Sequence, residues 1–492
     1  MKKQELMKTS PDYDANVSRW QFYLRSYLGG EAYADGNYLT AYIAEDQKEY
    51  QKRINSTPCD NHCKNIVQIY NSFIWRIPPA RVLPQQNKHI DNFIKDADMD
   101  GRSFNAFMRE AGAWASVYGH CWVIVDKPSS TAETVQDELD QEIRPYVTAI
   151  TPENIMDWRY ERKRSGRYEL SLLKVRELAD GDMQLIRVWT RETITLYKLD
   201  REKLTIVEEM DNPIKTIPAV ILYSARSPVR GVGISDITDI ADFQKAIYSE
   251  LSEVEQLIRI TNHPSLAKTE STDASAGAGG IVTMSDDMDA GLRPFLLQPS
   301  SGSLQGVQQS IDSKVESINK ISHMGGVRAT EKQAKSGVAL QTEFQLLNTR
   351  LSEKADLLEL AEEQIWKLFN LWQNTNDEIV VDYPDSFDIR DHEADLMFLQ
   401  TAKASGVPSK LFIKEIDSQI ARLVIDDGKI EPIIKEIAEG EFSTQSTKEI
   451  FGYHMDGGVV TKNEVRTQLG LELTPDGDTF MESENTKVDS SV

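Results

Sequence analysis

A chain of 492 residues is too long for one hydrophobic core, and 40% hydrophobic with 27% charged residues describes a folded protein of two to four domains. A formal charge of -23 argues against a general nucleic-acid-binding surface, which would be basic, but does not exclude a nucleic-acid conduit, because an acidic wall repels phosphate and lets a duplex slide. Three cysteines give no disulfide framework and fit a reducing compartment, the polar residues 1–11 hold no signal-peptide core, and no apolar run reaches the roughly 20 residues of a membrane span, so cytoplasmic assembly without a membrane is expected.

Residues 1–125 read as mainly helical. The apolar spacing of Asn65 to Trp75 is helical and runs into Pro78 and Pro79, which cannot continue a helix. Phe104 to Val117 is a second amphipathic helix, and Cys121 to Val125 has the pattern of a short buried strand. Ser129 to Asp140 reads as a polar, acidic loop. From Pro145 to Ser224 the period shifts toward two, with strands expected at residues 146–150, 155–160, 168–175, 185–189, 194–199, 204–207 and 219–223. Ser165-Gly166 and Asp180-Gly181 mark turns between them. Arg159, Arg162, Lys163, Arg164 and Arg167 read as a solvated hairpin tip in preference to a phosphate site.

Gly231 to Trp372 is the most ordered stretch of the pattern. A helix is expected to open at Ser235, whose hydroxyl can accept a first-turn amide, and to end at Asn262, His263 and Pro264. Its inner stripe is Ile237, Ile240, Gln244, Ile247, Leu251, Val254 and Ile258, a three-four alternation that keeps one face toward a partner, with Gln244 the single polar member. Residues 263–303 turn to Ser, Thr, Ala and Gly and read as a small strand-and-loop insertion. Leu304, Val307, Ile311, Val315, Ile318 and Ile321 mark a returning helix that stops at Gly325-Gly326. After a short loop, Val327 to Ser336, a third helix of about 38 residues and roughly 55 Å carries Phe344, Leu347, Leu351, Ala355, Leu358, Ala361, Ile365, Leu368 and Trp372 on one stripe. Periodicity alone fits an ordinary three-helix bundle equally well, because periods report burial and not use.

Beyond it, Ile379 to Asp382 reads as a strand and 391–469 as helices, with capping boxes at Ser446/Glu449 and Thr461/Glu464. Thr474 to Val492 is a polar, acidic tail.

Catalytic patterns fail one by one. Gly231 and Gly233 lack the third glycine and the strand-helix-strand frame of a dinucleotide loop, and there is no Gly-x-x-x-x-Gly-Lys phosphate loop. Cys59, His62 and Cys63 have no second ligand pair at finger spacing and read as helix-core residues. Asp286, Asp287 and Asp289, like Asp426-Asp427, lack the remaining ligands of a calcium loop, and His392-Glu393 lacks the second histidine of a metalloprotease helix. No cofactor or metal is expected.

In their order, four stretches resemble the portal protein of tailed bacteriophages, the capsid-vertex ring through which DNA is packaged and ejected: NIVQIYNSFIWRIPP (65–79), PYVTAITPENIMDWRY (145–160), GVGISDITDIADFQKAI (231–247) and GVVTKNEVRTQLGL (458–471). The resemblance spans about residues 10–475. It implies an α+β, mainly helical fold with an N-terminal wing (1–234, β-rich at 145–224), stem helices (235–262 and 304–324), a clip (263–303), a channel loop (325–336), a long wing helix and strand (337–389), a helical crown (390–470) and a flexible tail (471–492). It also implies a non-enzymatic ring of twelve copies in the virion. Its partners would be double-stranded DNA, terminase, a head-tail adaptor, and the major capsid and scaffolding proteins. In this frame Arg328, Lys332 and Lys335, set against the single Glu331, are expected to face the lumen and touch phosphates without reading bases. Asp286, Asp287 and Asp289 are candidates for docking a basic partner at the clip. The rival readings are a hydrolase or nuclease whose paired carboxylates hold a metal, which finds no matching His or Lys, and another ring-forming connector, usually much shorter than 492 residues.

Overall fold

The computed structural model describes residues 2–43, 45–84, 87–128, 134–181, 183–262, 265–269, 281–284, 295–297, 301–325, 327–328, 337–387, 392–405, 407, 409–424, 430–439, 461, 463, 474 and 475. The chain divides into two compact units, Met1–Asp388 and Ile389–Val492.

Eight helices come first: α1 (Lys3–Leu6), α2 (Pro11–Leu28), α3 (Gly30–Ala34), α4 (Gln47–Ser56), α5 (His62–Ile74), α6 (Lys88–Lys95), α7 (Phe104–Tyr118) and α8 (Val135–Asp140). Their starts are chemically marked. Ser10, Asp46, Asn61, Asn87 and Ser103 each accept a first-turn amide, which removes one of the unpaired donors a helix start leaves. α8 lies where a loop was expected: Thr134 and Asp137 form a reciprocal capping box that nucleates a short helix in this acidic stretch.

The strands of the first unit begin with β1 (Ala80–Val82), β2 (His120–Asp126) and β3 (Tyr146–Ile150). Then come β4 (Ile155–Arg162), β5 (Tyr168–Asp180), β6 (Met183–Thr190), β7 (Thr193–Asp200), β8 (Lys203–Asp211) and β9 (Ala219–Tyr223). All seven strands expected between 146 and 223 are present, several of them longer. They form two antiparallel sheets, β3-β2-β9 and the meander β4-β5-β6-β7-β8. β2 is buried along its first six residues, which is why it reads as a continuous apolar run and not an alternating one. The N-terminal segment lies on the meander. Leu6 is fully buried with Met156, Ile186, Val188 and Tyr197, and the buried Lys174 donates to the carbonyls of Glu5 (2.8 Å) and Lys8 (3.1 Å).

α9 (Thr238–Asn262) leads to three short strands, β10 (Ser265–Thr269), β11 (Ile281–Met284) and β12 (Phe295–Leu297), arranged β11-β10-β12 with the first pair parallel and the second antiparallel. α10 (Ser301–Ile321) returns from them, and α11 (Gly337–Gln373) runs 37 residues. β13 (Val380–Asp382) pairs with β1. The stripe foreseen on α11 is its core face, with Leu347, Leu351, Ala355, Leu358, Ala361 and Ile365 all buried. Trp366 and Phe369 extend that face into an aromatic cluster with Phe93 and Phe104.

The second unit contains α12 (His392–Ala404), α13 (Lys410–Val424) and α14 (Ile430–Glu439). The box at Ser446/Glu449 and Glu464 of that at Thr461/Glu464 lie outside the described residues. Asn463 is described, and its side chain brackets Thr474 through both the backbone N–H and C=O.

Candidate functional site

Two helix boundaries depart from expectation, and both departures shape the region between the paired helices and α11. α9 begins at Thr238 and not at Ser235. The Ser235 hydroxyl accepts from Ile237 N–H (3.1 Å) and donates to the carbonyl of Val117 (2.6 Å), so it ties the entry segment to α7 and delays the helix by three residues. α10 ends at Ile321, before Gly325-Gly326. His323 adopts φ +54° and Met324 N–H reaches back to Asn319 C=O (2.9 Å), a Schellman closure in which histidine stands where glycine is usual. The fully buried Met324 supplies the apolar contact that holds the strained residue in place.

Along α9 the stripe passes from buried to exposed. Ile237, Ile240 and Ile247 are essentially inaccessible, each contributing about 1.5–3 kcal/mol relative to exposure. Leu251 and Val254 are half-buried and Ile258 is exposed, so in a single chain the far end of the stripe lacks a full cover. Ile311 and Ile318 of α10 pack on the same core, and Lys314 pairs with Glu250 at 2.6 Å. Gln244, buried among isoleucines, is paired at both ends: its carbonyl accepts from Cys63 N–H (2.9 Å) and its amide donates to Ser26 C=O (2.9 Å) and to Cys59 Sγ (3.9 Å). One side chain thus joins α2, α5 and α9.

The root of the loop after α10 is held by α5 at two points. Tyr70 donates to Ser322 C=O at 2.6 Å, and the Arg328 guanidinium lies 2.8 Å from His62 Nδ1, with His62 Nε2 facing Asp60 at 3.1 Å. A nitrogen that accepts from an arginine must be unprotonated, so this geometry selects the tautomer with its proton on Nε2, toward the carboxylate. Arg328 is therefore half-buried and turned onto His62 within its own chain, not extended from a free loop. Lys332 and Lys335 lie outside the described residues, as do Asp286, Asp287 and Asp289. Cys63 is buried and burial pushes the half-buried Cys59 thiol up to about 11, in keeping with core cysteines. Among the described residues no group of three or more His, Cys, Asp or Glu could hold a metal ion.

Just before α9 sits a buried charge cluster. The Asp236 carboxylate contacts Lys354 Nζ (2.6 Å) and Arg350 Nη2 (3.0 Å) from α11, and Lys354 also donates to Ser116 (3.0 Å) and Ser224 (2.7 Å). Burial alone would raise the Asp236 pKa, but the two cations outweigh it and hold the carboxyl below the usual carboxylate range. The glycines of the entry segment are explained by the same crowding. Gly231 has φ +89° and a Cβ there would stand 2.2 Å from Trp158 Nε1, while one on Gly233 would stand 2.0 Å from Gly119 C=O. They are packing glycines, not a phosphate cradle.

The family profile described as "Phage portal protein, SPP1 Gp6-like" matches residues 8–417, which is most of the chain. The chain belongs to this phage portal family.

No curated protein sequence matches this portal-family chain. Among solved structures it is similar to a chain in the "Virion of native gene transfer agent (GTA) particle", at TM-score 0.42 and 10% identity over 72% of this chain and 89% of that one. It is also similar to a chain in the "Neck of empty GTA particle computed with C6 symmetry", at 0.40 and 9%, over 79% and 99%. What the portal-family sequence did not disclose is the set of long-range polar partners. Arg328 and His62 are 266 positions apart, and Lys354 and Asp236 are 118 apart. The one local signal was Gln244, a polar residue inside an apolar stripe.

Proposed function

We propose that copies of this chain assemble into a portal ring at a phage capsid vertex, forming the channel through which double-stranded DNA is packaged and ejected. The observation that carries the reading is the family match over residues 8–417. On this reading the parts are those named from the sequence: wing to 234, stem helices near 235–262 and 304–324, clip at 263–303, channel loop at 325–336, long wing helix and strand to 389, crown at 390–470. The half-covered end of the α9 stripe, Leu251 to Ile258, then packs against the adjacent copy. Terminase, followed by a head-tail adaptor, docks at the clip, with Asp286, Asp287 and Asp289 offering an acidic surface to a basic partner. The chain has no chemistry of its own, and ATP is hydrolysed by the partner motor.

Phosphate contact in the channel belongs to Lys332 and Lys335, while Arg328, bonded to His62, anchors the loop root. Negative-stain images of the purified protein are expected to show closed rings of about twelve copies with a hole of duplex width. Lys332→Ala/Lys335→Ala rings are expected to assemble normally and to package or retain DNA poorly. A wild-type monomer with metal-dependent turnover would overturn the whole reading, and unchanged packaging by the double variant would overturn the role of the two lysines.

A further inference from the structure

The meander sheet carries two unlike edges at one end. At the β4–β5 hairpin and the segment beside it, residues 159–169 contain five basic residues against two acidic, and Arg226 and Arg230 add two more, in a chain of net charge -23. Arg230 runs alongside β4, its carbonyl accepting from Trp158 Nε1 (3.1 Å). Its guanidinium lies 4.3 Å from the Tyr168 ring centroid, and that of Arg162 lies 5.9 Å from the same ring. Two like charges are thus held around one exposed tyrosine, and among the described residues Arg162, Arg164, Arg167, Arg226 and Arg230 have no carboxylate partner. Such repulsion is relieved when an anion sits between them. Tyr168 and Val229, 45% and 42% exposed, give the patch an apolar centre rimmed by arginines, the composition of a protein interface.

The opposite edge is β8, the unpaired outer strand of the sheet. Its last four residues include Glu208, Glu209 and Asp211 and no cation, and Ile206 and Val207 stand 53% and 56% exposed beside them. Through the register, Arg159 pairs with Leu172, Leu172 with Thr190, and Asp211 with Thr193 just across that turn, so the acidic end of β8 lies at the same end of the sheet as the basic hairpin. Five strands at about 4.8 Å spacing separate the two edges by roughly 19 Å. Closed rings are built from two different, mutually complementary faces on each subunit.

We propose that the arginine-tyrosine edge of one copy docks on the acidic β8 edge of the next copy. This rests on the ring reading above, and the partner is argued from complementary charge, an exposed apolar centre on both sides, and their placement toward the same end of the sheet on opposite edges. The interface is electrostatically keyed and head-to-tail.

The test uses the full chain and counts ring particles. Arg164→Glu/Arg167→Glu, at exposed positions, is expected to cut the ring fraction at least tenfold, and Glu209→Arg/Asp211→Arg to do the same. Combining all four in one chain restores opposite signs across the interface and is expected to restore rings. An unchanged circular-dichroism melting curve for each variant shows that folding is intact. Rings unaffected by either reversal overturn the proposal, as does failure of the fourfold variant to recover. Rings intact with binding of a duplex oligonucleotide lost would assign the basic edge to nucleic acid and likewise overturn it. Wild-type protein that forms no rings would instead overturn the ring reading itself.

Discussion

Asp236 shows how a single carboxylate can decide a junction. It is wholly enclosed, and its two cationic partners both come from α11, so the long helix cannot shift along the entry to α9 without stranding a buried charge. Asp236→Asn removes the anion and leaves Lys354 buried beside a neutral amide. At pH 7 the loss of stability is expected to be about 3–5 kcal/mol. Because the folded-state pKa of Asp236 is depressed, its contribution is fully present above the unfolded carboxylate value of about 3.9 and is lost as pH falls through the lower folded value. Urea denaturation of wild type and variant should therefore give a gap that is constant near neutrality and narrows below pH of about 4. A gap independent of pH down to 3 would contradict this assignment. His120 is held neutral, not charged, yet its stability contribution is likewise lost as pH falls. Burial drives its pKa to about 3, so it stays neutral and its Nδ1 accepts from Gly233 N–H at 3.2 Å.

Among the elements, α11 bears most of the packing and illustrates what periodicity can and cannot disclose. Leu358 lies on the buried stripe and Leu360, two residues on, is 40% exposed. Leu358→Ala is expected to cost about 2–5 kcal/mol and Leu360→Ala under about 1 kcal/mol, read from the shift of the denaturation midpoint. Equal losses would show that the stripe is misassigned. The strands from Tyr146 to Tyr223 were legible because half-buried antiparallel strands alternate at period two and their turns need Gly166 and Gly181 at positive φ. The end of α10 was not legible. Glycines at 325 and 326 are a strong stop signal, but Met324 could reach the core only if the chain turned at His323, and tertiary burial overrode the local preference. The beginning of α9 failed similarly, since nothing local reveals that Ser235 binds α7. As for the candidate site, the basic residues Lys332 and Lys335 lie outside the described residues, and the attachment of Arg328 to His62 depends on a fold that brings α5 beside the end of α10.

For the molecule as a whole, the first unit encloses a large apolar core running from Tyr13 to Phe387 and a small second cluster around Leu6, and the second unit starts within two residues of Phe387. A chain ending at residue 388 is therefore expected to fold, with a melting midpoint within about 3 °C of the corresponding transition in the full chain, because a compact unit with its own core is autonomous. Loss of a cooperative transition would show that the first unit borrows stability from the second. The smaller cluster bears on how long folding takes. Lys174 holds the carbonyls of Glu5 and Lys8 across 169 and 166 positions, and Leu6 closes the apolar face of a sheet whose strands extend to Asp211. At roughly 5–20 residues per second of synthesis, the segment around Leu6 waits on the order of ten to thirty seconds for the lysine that fastens it. During that interval Leu6 stays uncovered, and a newborn chain is exposed to association with its siblings before its sheet is complete.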